Sequence, residues 1–164
     1  MNIISECKYG IHDLSRIEVN RRGLPRFNMP LELGIDLGAE RYGNSRLQTK
    51  TLLVMDKTPY RYQQFVSDIS GQDVQAHRGS VKLAITLVRD WLACESGRSS
   101  IPGGNHIHNK YRSFCSELPV LCETLKTTPK ELTFSDFIPL INGWLEVNDS
   151  EVQSVFKLTT EYES

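Results

Sequence analysis

The chain has 164 residues, 39% of them apolar and 24% charged, which excludes disordered, collagen-like and coiled-coil proteins and predicts a globular fold. Lys and Arg together number 19 against 20 Asp and Glu, for a formal net charge of −1, so no overall field attracts nucleic acid or acidic lipid. No apolar run reaches the roughly 18 residues of a membrane helix, and the N-terminus lacks the apolar core of a signal peptide. We therefore expect a cytoplasmic protein without membrane or nucleic-acid partners.

Two segments in the first third of the chain have the pattern of short strands, and each ends in an aspartate. The strands are predicted over Cys7–Leu14 and Thr51–Asp56, the second being the near-continuous apolar run typical of strands buried on both faces. A helix is predicted between them over Asn28–Gly43, with Asn28 as its N-cap and Pro30 in its first turn. Because a helix between two buried strands forms a crossover, we expect parallel strands and an α/β fold.

The remainder of the chain is predicted to be mainly helical. Helices are expected over Pro59–Ile69, Gly79–Ala93, Ile107–Leu125, where Pro119 bends or splits the helix, and Ser135–Val147. We expect one domain over residues 1–147, followed by a polar stretch over 148–164 that forms either a tail or an added edge strand. The four cysteines, Cys7, Cys94, Cys115 and Cys122, are scattered, and we expect reduced, mostly buried thiols.

Several polar residues map to one edge of the predicted sheet. In open α/β sheets, ligands bind beyond the carboxyl ends of the strands. The expected positions of Asp13, Asp56, Asn28 and Glu32 all fall at that edge. Glu32 and Asp36 are four residues apart on the predicted helix, so their carboxylates form either a functional pair or the solvated acidic face of an amphipathic helix.

The loop that follows the first strand is rich in arginine. Its charged residues are Arg16, Arg21, Arg22 and Arg26 against Glu18. Such a cluster beside a helix N-terminus suits a phosphate or pyrophosphate. The same composition also describes a solubilising loop that forms one or two surface salt bridges.

Two further groups of polar residues are candidate sites. The segment Ser67–Asp73, followed by His77, either closes over the sheet edge or forms an Asp-capped turn between helices. A pair of histidines and two cysteines occur together later in the chain, but their spacing matches no regular zinc motif. We therefore expect no metal site.

The order of motifs in the first third resembles the signature of nucleoside 2-deoxyribosyltransferase-like proteins, which are related in fold to TIR-like domains. The matching features are Asp13-Leu-Ser15, Asn28-x-x-x-Glu32-Leu-Gly34, and Lys50 before an apolar strand. The resemblance covers about residues 3–56. It implies a flavodoxin-like sheet and chemistry at an N-glycosidic bond. Ser67–Asp73 and Pro102–Gly104 also resemble features of a bacterial group of TIR-like proteins.

The resemblance implies roles for individual residues. The glutamate that matches Glu32 is the nucleophile at the anomeric carbon, and Asp13 matches the acid or sugar-binding group. Asn28 would set the helix start and contact the sugar, whereas no family role transfers to Asp36. The further residues expected to bind the ligand are Ser15, Arg16, Arg26 and Asp56. No cofactor is implied, and NAD enters only as a possible substrate.

Two functions remain open at this stage. The first is an enzyme that cleaves or transfers an N-glycosidic bond of a nucleoside, nucleotide or NAD. The second is a non-catalytic module that senses such a ligand, or self-associates through an open sheet edge. The second is favoured by one departure from the family pattern: a strand and helix normally precede the Asp13 strand, and residues 1–6 resemble only the last turn of that helix. We therefore expect the first strand–helix unit to be missing.

Overall fold

The computed structural model describes residues 2–16, 26–64, 66, 69 and 73–160, except for the side chains of residues 2, 3 and 149–160. The chain divides into two compact units, Met1–His108 and Asn109–Ser164. The boundary between them falls at residue 108, whereas the sequence analysis placed the only boundary at residue 147. Each unit is described by itself.

The first unit is an α/β fold. Its elements are α1 (Asn2–Glu6), β1 (Tyr9–Asp13), α2 (Asn28–Tyr42), β2 (Thr51–Asp56), β3 (Val74–Ala76), α3 (Val81–Ser96) and the start of α4 (Gly104–Thr124), with short 3-10 turns at Leu14–Arg16, Leu47–Thr49 and Arg61–Gln64. The described strands form a parallel sheet in the order β1-β2-β3. Tyr9 lies opposite Thr51, and Val54 lies opposite Val74. The predicted parallel pairing of the first two strands and the crossover helix between them are confirmed.

The core of this unit lies between the sheet and α2. Leu14, Leu33, Val54 and Tyr62 are buried together in it, and the last four residues of β2 are all buried. Burial on both faces explains the near-continuous apolar sequence of this central strand. Leu33 of α2 therefore faces the sheet.

Two expectations for local structure are wrong. The N-cap of α2 is Phe27, and no described side chain caps the helix there. Asn28 is already in helical conformation, so its side chain does not take the N-cap position. The described residues of Pro59–Ile69 do not form the predicted α-helix either, because Tyr60 adopts a left-handed backbone (φ 60°) and the turn Arg61–Gln64 that follows it is a 3-10 helix.

Helix α3 begins and ends with regular capping geometry. The Ser80 hydroxyl accepts a hydrogen bond from the Leu83 amide at 3.2 Å, and Gly97 ends the helix in a left-handed conformation with φ 63°. Both devices satisfy backbone groups that a helix end leaves unpaired. The helix predicted over Gly79–Ala93 is thus confirmed, displaced by two to three residues.

The second unit contains most of α4 and the 27-residue helix α5 (Phe134–Thr160). Pro119 lies inside α4 without splitting it. Thr133 and Asp136 form the reciprocal cap of α5, since the Asp136 carboxylate accepts from the Thr133 amide at 2.9 Å and the Thr133 hydroxyl accepts from the Asp136 amide at 3.3 Å. The predicted cap at Ser135 is therefore wrong. Residues 148–160 continue α5 and form neither the edge strand nor the loose tail that were expected. Residues 161–164 lie outside the described residues.

Aromatic side chains form the core of the second unit. Phe114 packs edge to face against both Phe137 and Trp144, with ring centroids 5.6 Å apart in each pair. The indole nitrogen of Trp144 donates to the Glu117 carboxylate at 2.9 Å, so the polar group of a buried ring is satisfied.

Two global properties of the described residues bear on the expectations. None of the helices within them is both long and apolar enough to cross a membrane. The four cysteines are free thiols, and Cys122 alone is buried while Cys7, Cys94 and Cys115 are exposed. The expectation of mostly buried thiols is therefore wrong.

Candidate functional site

The carboxyl ends of the three strands each carry a titratable side chain. Asp13 ends β1, Asp56 ends β2, and His77 directly follows β3. Because side chains alternate along parallel strands in register, Asp13 and His77 lie on one face of the sheet and Asp56 on the other. His77 Nε2 lies 3.4 Å from Asp13 Oδ1. The edge therefore presents two separate groups of polar residues.

A cavity of about 430 Å³ lies at this edge, beside Asp13. It is lined by Asp13, Arg16, Arg26, Asn28 and Met29. Four of the seven predicted site residues are thus brought together: one comes from the end of β1, one from the turn after it, and two from the entry to α2. A volume of this size falls in the range of small-molecule sites.

The charges of this cavity favour an anion beside a polar group. Arg16 and Arg26 contribute two guanidinium groups against the one carboxylate of Asp13. The N-terminus of the 15-residue helix α2 lies at the same place and has no described side-chain cap, so its first amides add partial positive charge. The cavity therefore combines an anion-binding wall with one carboxylate that accepts hydrogen bonds.

The two carboxylate oxygens of Asp13 differ in their hydrogen bonding. Its Oδ1 accepts a hydrogen bond from the Ser15 amide at 2.9 Å, and 42% of its side chain is exposed. Within the described part of the chain, no group donates to Oδ2. Ser15 thus contacts Asp13 through its backbone amide, and it is not among the residues that line the cavity.

Asp56 is a structural group at the opposite face. It is completely buried, and its carboxylate accepts from the Lys57 amide at 2.6 Å and from Arg61 Nε at 3.0 Å. Arg61 also donates to the Leu14 carbonyl at 2.9 Å, which ties the end of β2 to the turn after β1. Asp56 is not among the residues that line the cavity, so the geometry gives no support to its expected role in ligand binding.

Glu32 and Asp36 occupy different environments. Glu32 is exposed on α2, one turn beyond Asn28, and does not line the cavity. Asp36 is buried, with its Oδ2 2.9 Å from His12 Nε2 and its Oδ1 3.0 Å from Lys50 Nζ. Neither expectation for this pair holds, because the two carboxylates form neither a common site nor a common solvated face.

The buried cluster of His12, Asp36 and Lys50 was missed by the sequence analysis. Besides Asp36, the Lys50 ammonium donates to the Ile4 carbonyl at 2.8 Å and to the Cys7 carbonyl. Asp36 approaches β1 closely at Gly10, where a Cβ atom would overlap its carboxylate. The cluster thus joins α1, β1, α2 and the start of β2, and we interpret Lys50 as a structural residue.

Some expectations fall outside the described residues. They include Arg21, Arg22 and Glu18 of the arginine-rich loop and most of the Ser67–Asp73 segment. Within the residues that are described, no group of three or more His, Cys, Asp or Glu side chains could hold a metal ion.

Comparison with known proteins does not assign the chain to a family. No family model, curated protein or solved structure matches it. The chemistry available to the site is therefore judged from its own groups. Two guanidiniums and a helix N-terminus suit a phosphate, and a carboxylate with an open oxygen suits a sugar hydroxyl.

Proposed function

We propose that the cavity at the end of β1 binds a nucleotide-like ligand, and that the protein acts at the N-glycosidic bond of a nucleoside, nucleotide or NAD. The proposal is carried by one observation: Asp13, Arg16, Arg26 and Asn28 line a single cavity at the N-terminus of α2. The sequence predicts all four as site residues.

The binding part of this proposal rests on electrostatics. The arginines and the first turn of α2 hold the phosphate, and Asp13 accepts hydrogen bonds from ribose hydroxyls through its open oxygen. The parallel pair β1 and β2 with its helical crossover supports a flavodoxin-like sheet. In such sheets the strands run in the order 2-1-3-4-5, of which the order β1-β2-β3 matches the consecutive run 3-4-5, and ligands bind at the carboxyl edge.

The chemical part assigns the nucleophile to Glu32, which is exposed on the same helix that borders the cavity. Its carboxylate forms a bond to the anomeric carbon while the bond from that carbon to the base nitrogen breaks. The electron pair leaves with the base: a nucleobase takes a proton from water, whereas nicotinamide leaves NAD as a neutral molecule. Water or a second base then displaces the carboxylate, so that hydrolysis or transfer restores Glu32.

A second function is favoured by the position of Glu32. Because it does not line the cavity and Asp56 is enclosed by Arg61, Asp13 is the one carboxylate among the described lining residues, and this alternative gives it a binding role. A protein with this arrangement senses a nucleotide or ADP-ribose-like ligand without turning it over. Since β1 and β2 are direct neighbours, any further strand of this sheet would pair at an outer edge, and self-association through such an edge belongs to this alternative.

The two functions are separated by a turnover assay. Wild-type protein, Glu32→Gln and the control Glu40→Gln, two turns along the same helix, are incubated with NAD and with nucleoside and deoxynucleotide mixtures. Free base and nicotinamide are followed by chromatography. Release by the wild type and Glu40→Gln but not by Glu32→Gln supports the enzyme. Thermal stabilisation by a ligand without release supports the binding module. If the wild type shows neither release nor stabilisation, both functions are overturned.

A further inference from the structure

We infer that His77 is a positioning residue that holds Asp13 ready for the ligand, an inference that rests on the proposed function. The two side chains come from the two outer strands of the described sheet, Asp13 from the end of β1 and His77 from the residue after β3. They meet on one face of the sheet at its carboxyl edge. No motif in the sequence relates them.

The proton of the imidazole is placed by the backbone. His77 Nδ1 accepts a hydrogen bond from the Gly79 amide at 3.1 Å, so the proton of the neutral ring lies on Nε2. This contact requires a tight reversal of the chain, in which Arg78 and Gly79 both have left-handed backbone angles (φ 55° and 73°). For Arg78 that conformation is uncommon and costs free energy, and strained backbone of this kind concentrates at functional sites.

The Nε2–H group of His77 faces the Asp13 carboxylate. His77 is 8% exposed, and its Nε2 is buried without a hydrogen bond of normal length to any described group. It lies 3.4 Å from Asp13 Oδ1, the oxygen that also accepts from the Ser15 amide. A buried donor without a partner is costly, and catalytic contacts that are long in a free protein tighten when the ligand binds. Once this contact shortens, Oδ1 accepts from both the Ser15 amide and His77 Nε2, which leaves Oδ2 for the ligand.

Other charged groups lie near this pair. Arg16 and Arg26 face Asp13 across the cavity, and the aliphatic end of the Lys57 side chain approaches Gly79. Asp56 lies on the opposite face and is enclosed by Arg61. Among the described groups, the imidazole of His77 is therefore the side-chain donor placed to orient Asp13 from within the sheet.

Two substitutions test the roles of the two His77 nitrogens separately. In His77→Asn the side-chain oxygen replaces Nδ1, so the contact with Gly79 is kept and the donor to Asp13 is lost. In His77→Gln the side-chain nitrogen replaces Nε2, so the donor is kept and the contact with Gly79 is lost. A positioning role predicts that Gln functions and Asn fails, whereas a purely structural role in the turn predicts the opposite order.

The first measurement needs no ligand. Hydrogen exchange of the Ser15 amide, followed by NMR, reports how firmly Asp13 Oδ1 is held. We expect exchange to be faster in His77→Asn by up to roughly fivefold, the effect of one full hydrogen bond, because the 3.4 Å contact with Oδ1 is lost, and unchanged in His77→Gln. Unchanged exchange in His77→Asn would overturn the positioning role, and because this variant keeps the contact with Gly79 its fold is retained.

The second measurement uses ADP-ribose as the probe in titration calorimetry. We expect binding to weaken roughly fivefold or more in His77→Asn and to be rescued in His77→Gln. If the wild type binds no ADP-ribose while the Ser15 exchange pattern holds, the positioning role stands and the proposed function fails for this ligand. If ADP-ribose binds equally to all three proteins, the proposed binding stands and the positioning role is overturned.

Discussion

Lys50 and Asp36 form an ion pair in the interior of the first unit, with 3.0 Å between Nζ and Oδ1 and side chains that are 1% and 4% exposed. The same Asp36 carboxylate contacts His12 Nε2 at 2.9 Å. Removing one partner of a buried pair leaves the other charged, desolvated and uncompensated, which is far more costly than loss of a surface pair.

Replacement of this lysine is therefore expected to destabilise the protein strongly. Lys50→Met should lower the free energy of unfolding by about 3–5 kcal/mol, measured by urea denaturation. Lys57→Met serves as the control because Lys57 is exposed, and its effect should stay within about 0.5 kcal/mol. Equal stability of the two variants would show that the buried pair contributes nothing.

Two glycines on neighbouring elements should respond to alanine in opposite directions. A Cβ at Gly10 would overlap the Asp36 carboxylate and lie 2.6 Å from a Leu52 methyl carbon, so Gly10→Ala should destabilise by about 1–3 kcal/mol. Gly34 lies within α2 with nothing within 4 Å of its Cβ position, so Gly34→Ala should stabilise by about 0.5–1 kcal/mol. Thermal or urea unfolding of both variants measures the two signs, and a Gly10→Ala variant as stable as wild type would contradict the close approach at Gly10.

The arginines of the cavity are expected to discriminate between charged and neutral ligands. Arg16→Ala and Arg26→Ala should each weaken AMP binding roughly tenfold or more, because hydrogen bonds to charged groups are the stronger class. Adenosine, which lacks the phosphate, should be affected little by either substitution. Titration calorimetry with Arg98→Ala as the exposed control tests this, and an equal loss for AMP and adenosine would remove the phosphate from the proposed site.

The cap of α5 provides a pH-dependent test in the second unit. Hydrogen bonds from the Thr133 hydroxyl and amide hold the pKa of Asp136 below its usual range. A lowered carboxylate pKa means that the stabilisation is present above the unfolded-state pKa of about 3.9 and is lost as pH falls through the lower folded-state value.

Asp136→Ala should accordingly lower the thermal midpoint at pH 7, and the difference from wild type should shrink as the pH falls below about 3.9. Circular dichroism at 222 nm follows the transition. Glu146→Ala, on the same helix but away from its cap, is the control. A difference that stays constant from pH 7 to pH 2 would show that the charge of Asp136 has no part in the cap.

The sequence was sufficient to predict the parts of the fold that depend on local pattern. The apolar run of β2 and the Pro30 and Gly43 signals of α2 define their elements within the chain itself. Glu32 and Asp36 look equivalent in the sequence, and what separates them is the space at Gly10 and the ammonium of Lys50, both distant along the chain. The contact between Asp13 and His77 depends on β3, which has only three residues and so lacks a readable period.

The contacts of Lys50 also change how the first residues of the chain should be regarded. Its ammonium bonds the carbonyls of Ile4 and Cys7 across sequence separations of 46 and 43 residues. The segment that resembles only the last turn of a helix thus supplies two of the acceptors on which a buried cation depends. Removal of the residues before Tyr9 is therefore equivalent to a core mutation.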